Sequence, residues 1–594
     1  MDGVASGSDA VPSTSTGRRS IQASRDGDDA KAADLGVYEL SRGEDDHERD
    51  VAVARRGVDR VEAITQSWSK TCLIIAYVTF WSLYLLFAFE RSFYSNIGPY
   101  ITSMFEEHSL LPTVDLVANI MSGASYLPMA KALNMYGRAE GLVFMAAVSI
   151  IVLILTAACT NIETYCAGVV FTTIGFSGTI YAVDVMTADT SMLKSRALAY
   201  AFTASPYIIT AFGGPSSAQS LLKPRQNWRW GFGALTIVTP AVVAVLFSVL
   251  FVHNRKIKQN EPPRVETSEK RNFFQKIWHF LIEFDALGIF ILAAGEVLFL
   301  LPFSLAESSG KQWASAHIIV MLVVGFLLLL AFPVVERHAP VPFAPWKLLA
   351  SGTLLMVCVL NAVFSIADDT WSAYFTSYLQ VVYGLSVSHA GWVNGTSGVI
   401  RGVWQIVVGI AIRYTGRYKW VLLIFIPIYA LFMGLLIYFR RPETNTGLIV
   451  MSQIFLGIAS SSIILCVEVG VVATVEHVDV AVAIALLGLS GYIGGAIGNA
   501  ISGAIWTNTL PQQLAKRLPD SAKDQADKIY GSIKEQLSYP IGSPVRDAII
   551  GAYATAQTRM LIAGIVATGI MLILTLFLKN VRLNENRQVK GTVL

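Results

Sequence analysis

A chain of 594 residues that is 54% hydrophobic and only 15% charged, with a mean hydropathy of +0.53, is too apolar for a water-soluble globular protein and reads as a membrane protein. Its net charge of +3 is spread over many short segments, which argues against nucleic acid as a partner. Cys72, Cys159, Cys166, Cys358 and Cys466 lie in or beside apolar runs and form no CxxC or Cys/His cluster, so structural zinc, a bound metal and a disulfide framework are not expected.

Residues 1–56 are rich in Ser, Asp, Arg and Ala and lack an apolar segment, which predicts a disordered cytoplasmic tail and no signal peptide. Residues 57–70 follow as an amphipathic lead-in: Val58, Val61, Thr65 and Trp68 share one side of a helix, while Asp59, Arg60, Glu62 and Gln66 fall largely elsewhere. A solvated linker is the alternative for this stretch.

A bilayer core about 30 Å thick needs roughly 20 apolar residues per helical crossing. Fourteen such runs follow, centred near Tyr84, Gly123, Ile151, Thr173, Ile208, Ala241, Ala293, Val323, Val363, Ile400, Ile428, Ile458, Leu489 and Met571. The fold class is therefore an all-α membrane protein, and an even number of spans puts both termini on one side. Lys131, Arg138, Lys194, Arg196, the basic run from Arg255 to Lys276, Arg337, Lys347, Arg413, Arg417 and Lys419 cluster in the loops on that side, which predicts cytoplasmic termini. Lys223, Arg225, Arg229, Arg440 and Arg441 run against the rule.

Two loops repeat one another: KALNMYGRAEGL (131–142) after span 2 and IRYTGRYKWVLL (412–423) after span 10. Both put Gly-Arg at a tight hinge before a new apolar helix. This resembles the helix 2–3 signature loop of the major facilitator superfamily, in which each six-helix half carries one copy, usually with Asp where Asn134 and Thr415 stand here. The resemblance implies two six-helix bundles around a central site, with a first bundle at 71–253, a cytoplasmic linker at 254–283, an inserted pair of spans at 284–336 and a second bundle at 347–580. Residues 581–594 form a short cytoplasmic tail. The same register matches YAVDVMTADT in span 4 with LCVEVGVVATVEHVD in span 12, and glycine-rich span 5 with span 13.

Ionisable groups at membrane depth are costly and face a cavity or a partner. Asp184 in span 4 and Glu468 in span 12 hold matching places, and either can carry a proton, since a carboxyl group removed from water binds one more readily. Alternatively, Asp184 or Asp189 latches Arg138 and holds an inner gate shut. Arg401, near the middle of span 10, has two readings, a contact to an oxygen-rich substrate or an ion pair with Asp368 or Asp369. Glu296 falls in the inserted pair and is set aside as a coupling residue. Glu90, at the outer end of span 1, is either interfacial or part of an outer cavity.

Tyr94, Tyr100, Tyr126, Trp371, Tyr374, Phe375, Tyr378, Trp392 and Trp404 occupy outward positions. Each alone fits an interfacial belt or packing, whereas the density of DDTWSAYFTSYLQVVY (368–383) predicts an amphipathic vestibule for a bulky ligand. Between spans 13 and 14, an outward loop over 508–553 ends in YPIGSPVRDAIIGAY. Ile529, Ile533 and Leu537 repeat every four residues, and the Pro and Gly turns argue for order. The loop is a lid in which Tyr539, Arg546 and Tyr553 touch substrate, or a structural clasp on span 14.

The segments GVDRVEAITQSWSK, LPMAKALNMYGRAEG, YAVDVMTADTS and YPIGSPVRDAIIGAY resemble fungal siderophore-iron transporters, fourteen-helix members of the major facilitator superfamily, with likeness over about 57–580. The resemblance implies proton-driven import of a ferric hydroxamate chelate at the plasma membrane, with endosomal vesicles as a second location. It also implies a monomer without a cofactor, in which protons and a ferric siderophore are the partners and the iron arrives already wrapped in chelator oxygens. Two other classes are weighed: a fourteen-helix proton antiporter exporting drugs or siderophores, and a non-transporting sensor. An enzyme is not expected, because no nucleophile–base pair, metal motif or phosphate loop is present.

Overall fold

The computed structural model describes residues 70–583, apart from 105–107, 109–110, 223–226, 259–272, 306–311, 341–347, 349, 443, 477–478 and 582. The expected tail over 1–56, nearly all of the lead-in and residues 584–594 lie outside the described residues. The described chain is helical, without a β-strand. This is the economical solution in lipid, where each helix satisfies its own backbone hydrogen bonds.

The first bundle comprises α1 (Lys70–Met104), α2 (Leu111–Tyr136), α3 (Arg138–Ala158), α4 (Ile162–Asp189), α5 (Leu193–Ala204), α6 (Tyr207–Leu222) and α7 (Trp228–Lys258). Helices α5 and α6 are one span, broken at Ser205-Pro206 where the proline ring cannot continue the backbone ladder. A separate hairpin of α9 (Ala286–Leu300) and α10 (Ala316–His338) follows the short α8 (Phe273–Glu283). The second bundle holds α11 (Gly352–Ser372), α12 (Phe375–Tyr383), α13 (Val387–Thr415), α14 (Lys419–Phe439), α15 (Thr446–Ala473) and α16 (Val480–Arg517). After the short α17 (Ala526–Gly531) and α18 (Ile533–Ser538), α19 (Pro544–Phe577) completes it.

Eleven helices among the described residues are long and apolar enough to cross a membrane. With α2, the broken α5–α6 and α9 as further passes, this agrees with the fourteen spans read from the sequence. Helix α2 falls short on hydropathy because Asp115, Asn119, Ser122, Ser125 and Lys131 interrupt it. Span 9 is not continuous: α11 stops at Ser372 and α12 restarts at Phe375, without a Gly or Pro at the break.

The bundles meet along two long crossings, α2 against α16 and α6 against α13. Gly488 lets α16 approach α2, since a Cβ there would run into the ring of Tyr126. At the repeated hinges, Gly137 has φ 113° and Gly416 has φ 64°, conformations that a side chain strains. A Cβ on Gly137 would also lie 2.6 Å from Glu140 Oε2.

The loop between spans 13 and 14 is shorter than expected. Asn508–Arg517 continues α16, and 544–553 already belongs to α19, because Ser543 Oγ accepts from Arg546 N at 3.2 Å and Pro544 occupies the first turn. Ile529 and Ile533 are both buried, yet they sit on two helices, since extended Ser532 ends α17 and caps α18.

Candidate functional site

A hollow of about 150 Å³ separates the bundles toward the face that carries Met104 and the loop at 518–543. Arg91, Tyr94 and Ser95 of α1 and Asp115 and Asn119 of α2 wall one side. Asp369 and Ser372 of α11, Thr376 of α12, Asn394 of α13 and Asn499 of α16 wall the other. An adjoining hollow of about 270 Å³ shares Arg91, Asn119 and Asp369 and adds Asn361, Ser365 and Tyr492. Helical spacing explains the convergence: positions 91, 94, 95 and 98 in α1, and 369, 372, 373 and 376 along α11–α12, each form one face. Arg91 is in electrostatic range of Asp115 and Asp369, so the lining carries one cation and two carboxyl groups beside amides and hydroxyls. Such a lining suits a ligand rich in oxygen acceptors and amide groups.

Nearer the Gly137 and Gly416 hinges, a second set gathers side chains from both bundles. Tyr84 OH donates to Asp184 Oδ1, and Glu468 lies in electrostatic range of Asp184 and Arg401. Arg401 Nη2 is 3.5 Å from Ser460 Oγ, and Trp404 Nε1 donates to Ser462 Oγ at 3.1 Å. Below this set, Arg138 pairs with Asp189 at 3.2 Å, and Tyr181 OH donates across the bundles to the carbonyl of Ala481 at 2.8 Å. The rings of Tyr181 and Tyr492 pack at a tilt against Tyr126, with centroids 5.2 Å and 5.4 Å away.

On the opposite face, Ile533 N donates to Ser103 Oγ at 3.1 Å and Tyr100 OH bonds Gln380, so α1 is tied to α18 and α12. Ser388 N of α13 also donates to Gln219 Oε1 of α6 at 2.9 Å. The hollows are thus bracketed by cross-bundle hydrogen bonds at both ends.

Several residues expected at an outer substrate surface sit elsewhere. Glu90 is buried and turned into a small pocket inside the first bundle, because its neighbour Arg91 takes the face toward the hollow. Asp368 accepts from Tyr429 OH at 3.0 Å within the second bundle, one residue and about 100° around the helix from Asp369. The aromatic run of α11–α12 is core. Trp371 and Phe375 hold the Arg440 guanidinium at 4.4 Å and 3.9 Å, Tyr378 OH donates to the Arg440 carbonyl, and Tyr374 stacks on Trp506 at 3.7 Å. Where α19 meets the loop, Arg546 Nε donates to the Val381 carbonyl at 3.1 Å, Tyr553 OH to Gln536 Oε1 at 2.6 Å, and Tyr539 OH to Gln525 Oε1 at 2.6 Å. Arg546 and Tyr553 are buried in this clasp, where they face protein. Tyr94 alone of the expected outer aromatics lines the hollow. Arg91, Asp115, Asn119, Asn394 and Asn499 were missed as lining residues; a polar face at helical spacing inside an apolar run was the available signal.

Residues 39–541 match the family described as fungal trichothecene efflux pump (TRI12). The MFS siderochrome iron transporter D of Aspergillus fumigatus is 47% identical over 541 residues, covering 91% of this chain and 90% of that protein. The MFS siderochrome iron transporter 1 of Gibberella zeae is 42% identical over 91% of this chain and 89% of its own. Siderophore iron transporter mirB of Emericella nidulans is 42% identical over 90% of this chain and 89% of its own. Among solved structures, a bacterial homologue of the human lysosomal transporter Spinster aligns with TM-score 0.52 and 13% identity, over 86% of this chain and 98% of that one. A peptide transporter of the POT family aligns with TM-score 0.52 and 11% identity, over 88% and 99%. The chain belongs to the fungal siderophore-iron transporter family of the major facilitator superfamily, with that superfamily's fold of two six-helix bundles plus an inserted helix pair.

Proposed function

We propose that this protein is a secondary transporter that imports a ferric siderophore of the hydroxamate type together with protons. The observation that carries the reading is the polar hollow shared by the two bundles and bracketed at both ends, in a chain so similar to siderochrome iron transporters. A ferric hydroxamate presents amide and carbonyl oxygens around a metal that the chelator has already saturated. Arg91, Asn119, Asn394 and Asn499 supply matching donors, and Tyr94 supplies an apolar wall. Breaking the hydrogen bonds at one end while the other holds would expose the hollow to one side at a time.

In this reading the face with the loop at 518–543 is extracellular, the hinges at Gly137 and Gly416 are cytoplasmic, and the molecule works as a plasma-membrane monomer. The inserted pair spans 284–336 and takes no part in coupling. Asp184 and Glu468 take up a proton in step with the cargo, because two carboxyl groups near one another are both charged only at a cost that Arg401 offsets in part. Asp189 acts as the latch on Arg138.

Export is the second reading, favoured by the efflux-pump family that residues 39–541 match. Proteoliposomes loaded with a pH-sensitive dye separate the two. Adding ferrichrome or coprogen outside, at equal pH on both sides, acidifies the lumen if chelate and proton enter together. Alkalinisation of the lumen indicates exchange and contradicts symport.

A further inference from the structure

Inside the first bundle lies a pocket of about 40 Å³, large enough for a water molecule. Glu90 is only 4% exposed there, and its Oε2 has no hydrogen-bond partner among the described residues. The walls from α3, α4 and α7 are Thr156, Val169, Thr172, Thr173, Phe176 and Phe232, none of them titratable. Thr172 Oγ1 likewise lacks a partner among the described residues. The pocket's remaining walls are Arg91 and Tyr94 of α1 itself, and Tyr94 lies in turn within electrostatic range of Asp115, Tyr165 and Cys166. Arg91 is the one lining residue common to this pocket and both hollows described above.

We propose that Glu90 is a second proton site of the transporter, set in the first bundle and coupled to the cargo hollow through Arg91. The proposal rests on the symport reading and extends it. Arg91 is here in electrostatic range of Asp115 and Asp369; because it also lines the Glu90 pocket, a charged Glu90 would draw its guanidinium away from those two carboxyl groups. When a proton adds to Glu90 Oε2, the carboxyl becomes neutral, Thr172 Oγ1 is within the same pocket as a hydrogen-bond partner, and the Arg91 charge is released to the hollow. Proton binding and cargo binding thereby favour one another without sharing a residue. The proton leaves Glu90 when Arg91 returns after cargo release.

The test uses the full-length protein in proteoliposomes at zero membrane voltage, with radiolabelled ferrichrome or coprogen, whichever the unmodified protein accumulates. Each proton carried per chelate multiplies equilibrium accumulation about tenfold for each unit of pH gradient. Glu90→Gln, which fixes the neutral form, is expected to lower the accumulation ratio about tenfold per pH unit. Cargo counterflow at equal pH should persist, and Glu90→Asp should restore accumulation with a displaced pH profile. Unchanged accumulation and an unchanged pH profile in Glu90→Gln overturn the site. Loss of counterflow in both variants also overturns it, by assigning the position to packing. Absence of gradient-driven accumulation in the unmodified protein instead refutes the symport reading itself, before any variant is compared.

Discussion

Helices α1 and α2 of the first bundle and α11 and α12 of the second face one another across the hollow and differ in the charge they bring to it, Arg91 and Asp115 from the first pair against Asp369 from the second. In α1 and α2, Arg91 and Asp115 look into the hollow, while of their many aromatics Tyr94 lines it and Phe80, Phe87 and Phe93 are buried in packing. In α11 and α12 most of the aromatics turn away from it and close around Arg440, Trp506 and Tyr553, leaving Asp369 as their contribution of charge. Aromatic density in a membrane helix therefore marks where it packs, and isolated charges at helical spacing mark where it binds. A buried ring gains by covering apolar area, whereas a buried charge persists only where it has a partner or a ligand.

The largest expected effect concerns the packed side. Arg440→Ala removes a buried cation held by two rings and by Gln557 Oε1 at 2.7 Å, and leaves that amide unsatisfied. Thermal unfolding in detergent should show a loss of about 3–5 kcal/mol, of which about 2 is the desolvated cation–π contact and about 1–3 the amide left unsatisfied. A variant as stable as the parent, with altered chelate selectivity instead, would return the aromatic run to the substrate surface.

A smaller effect is set by His108, which lies in the connector between α1 and α2 and packs edge-on against Tyr374 and Trp506 at 5.8 Å and 6.3 Å. Burial pushes this imidazole down to about 4, partly opposed by the Pro99 carbonyl. The unfolded chain then binds more protons than the folded one between about pH 6.5 and 4. Stability from this group is full above the unfolded value and falls as the pH drops through that window, by roughly 2–3 kcal/mol at the acid end. His108→Phe should flatten the acid limb of a stability profile; an unchanged limb would contradict burial of a neutral His108 against Tyr374 and Trp506.

On the binding side, Arg91→Ala and Asp369→Asn should lower chelate uptake about 10–100-fold, as for loss of a charge-assisted contact, while unfolding temperature moves little. Equal losses of uptake and stability would place both residues in the packing instead. The smallest effect belongs to the hinges. Gly416→Ala should cost about 1 kcal/mol for a left-handed position, and Gly137→Ala somewhat more because Glu140 must also move. Both are read as shifts in unfolding midpoint.

The architecture was legible because the bilayer leaves the chain little choice. Long apolar runs become helices, and the Gly-Arg hinges need a backbone that glycine supplies. The Arg138–Asp189 pair was legible too, since both residues stand at the ends of adjacent spans. Which face a residue takes was harder to read. Glu90 and Arg91 are neighbours in sequence, and Asp368 and Asp369 likewise, so a shift of one residue exchanges the hollow for the bundle interior. The break between Ser372 and Phe375, which lacks a Gly or Pro, left no mark in the sequence and adds to that uncertainty. Arg546 and Tyr553 carried chemistry suited to a ligand, but their partners, the carbonyls of Val381 and Gln380 and the amide of Gln536, are contacts that only the folded chain brings together.

The central claim is tested most directly by accumulation of radiolabelled ferric hydroxamate in proteoliposomes acidified on the outside, in the presence and absence of a protonophore. Symport predicts accumulation above the external concentration that collapses when the protonophore is added, with no uptake of the iron-free chelator to the same level. Accumulation that ignores the gradient, or release of preloaded chelate into an acidic exterior against its own gradient, would contradict the account.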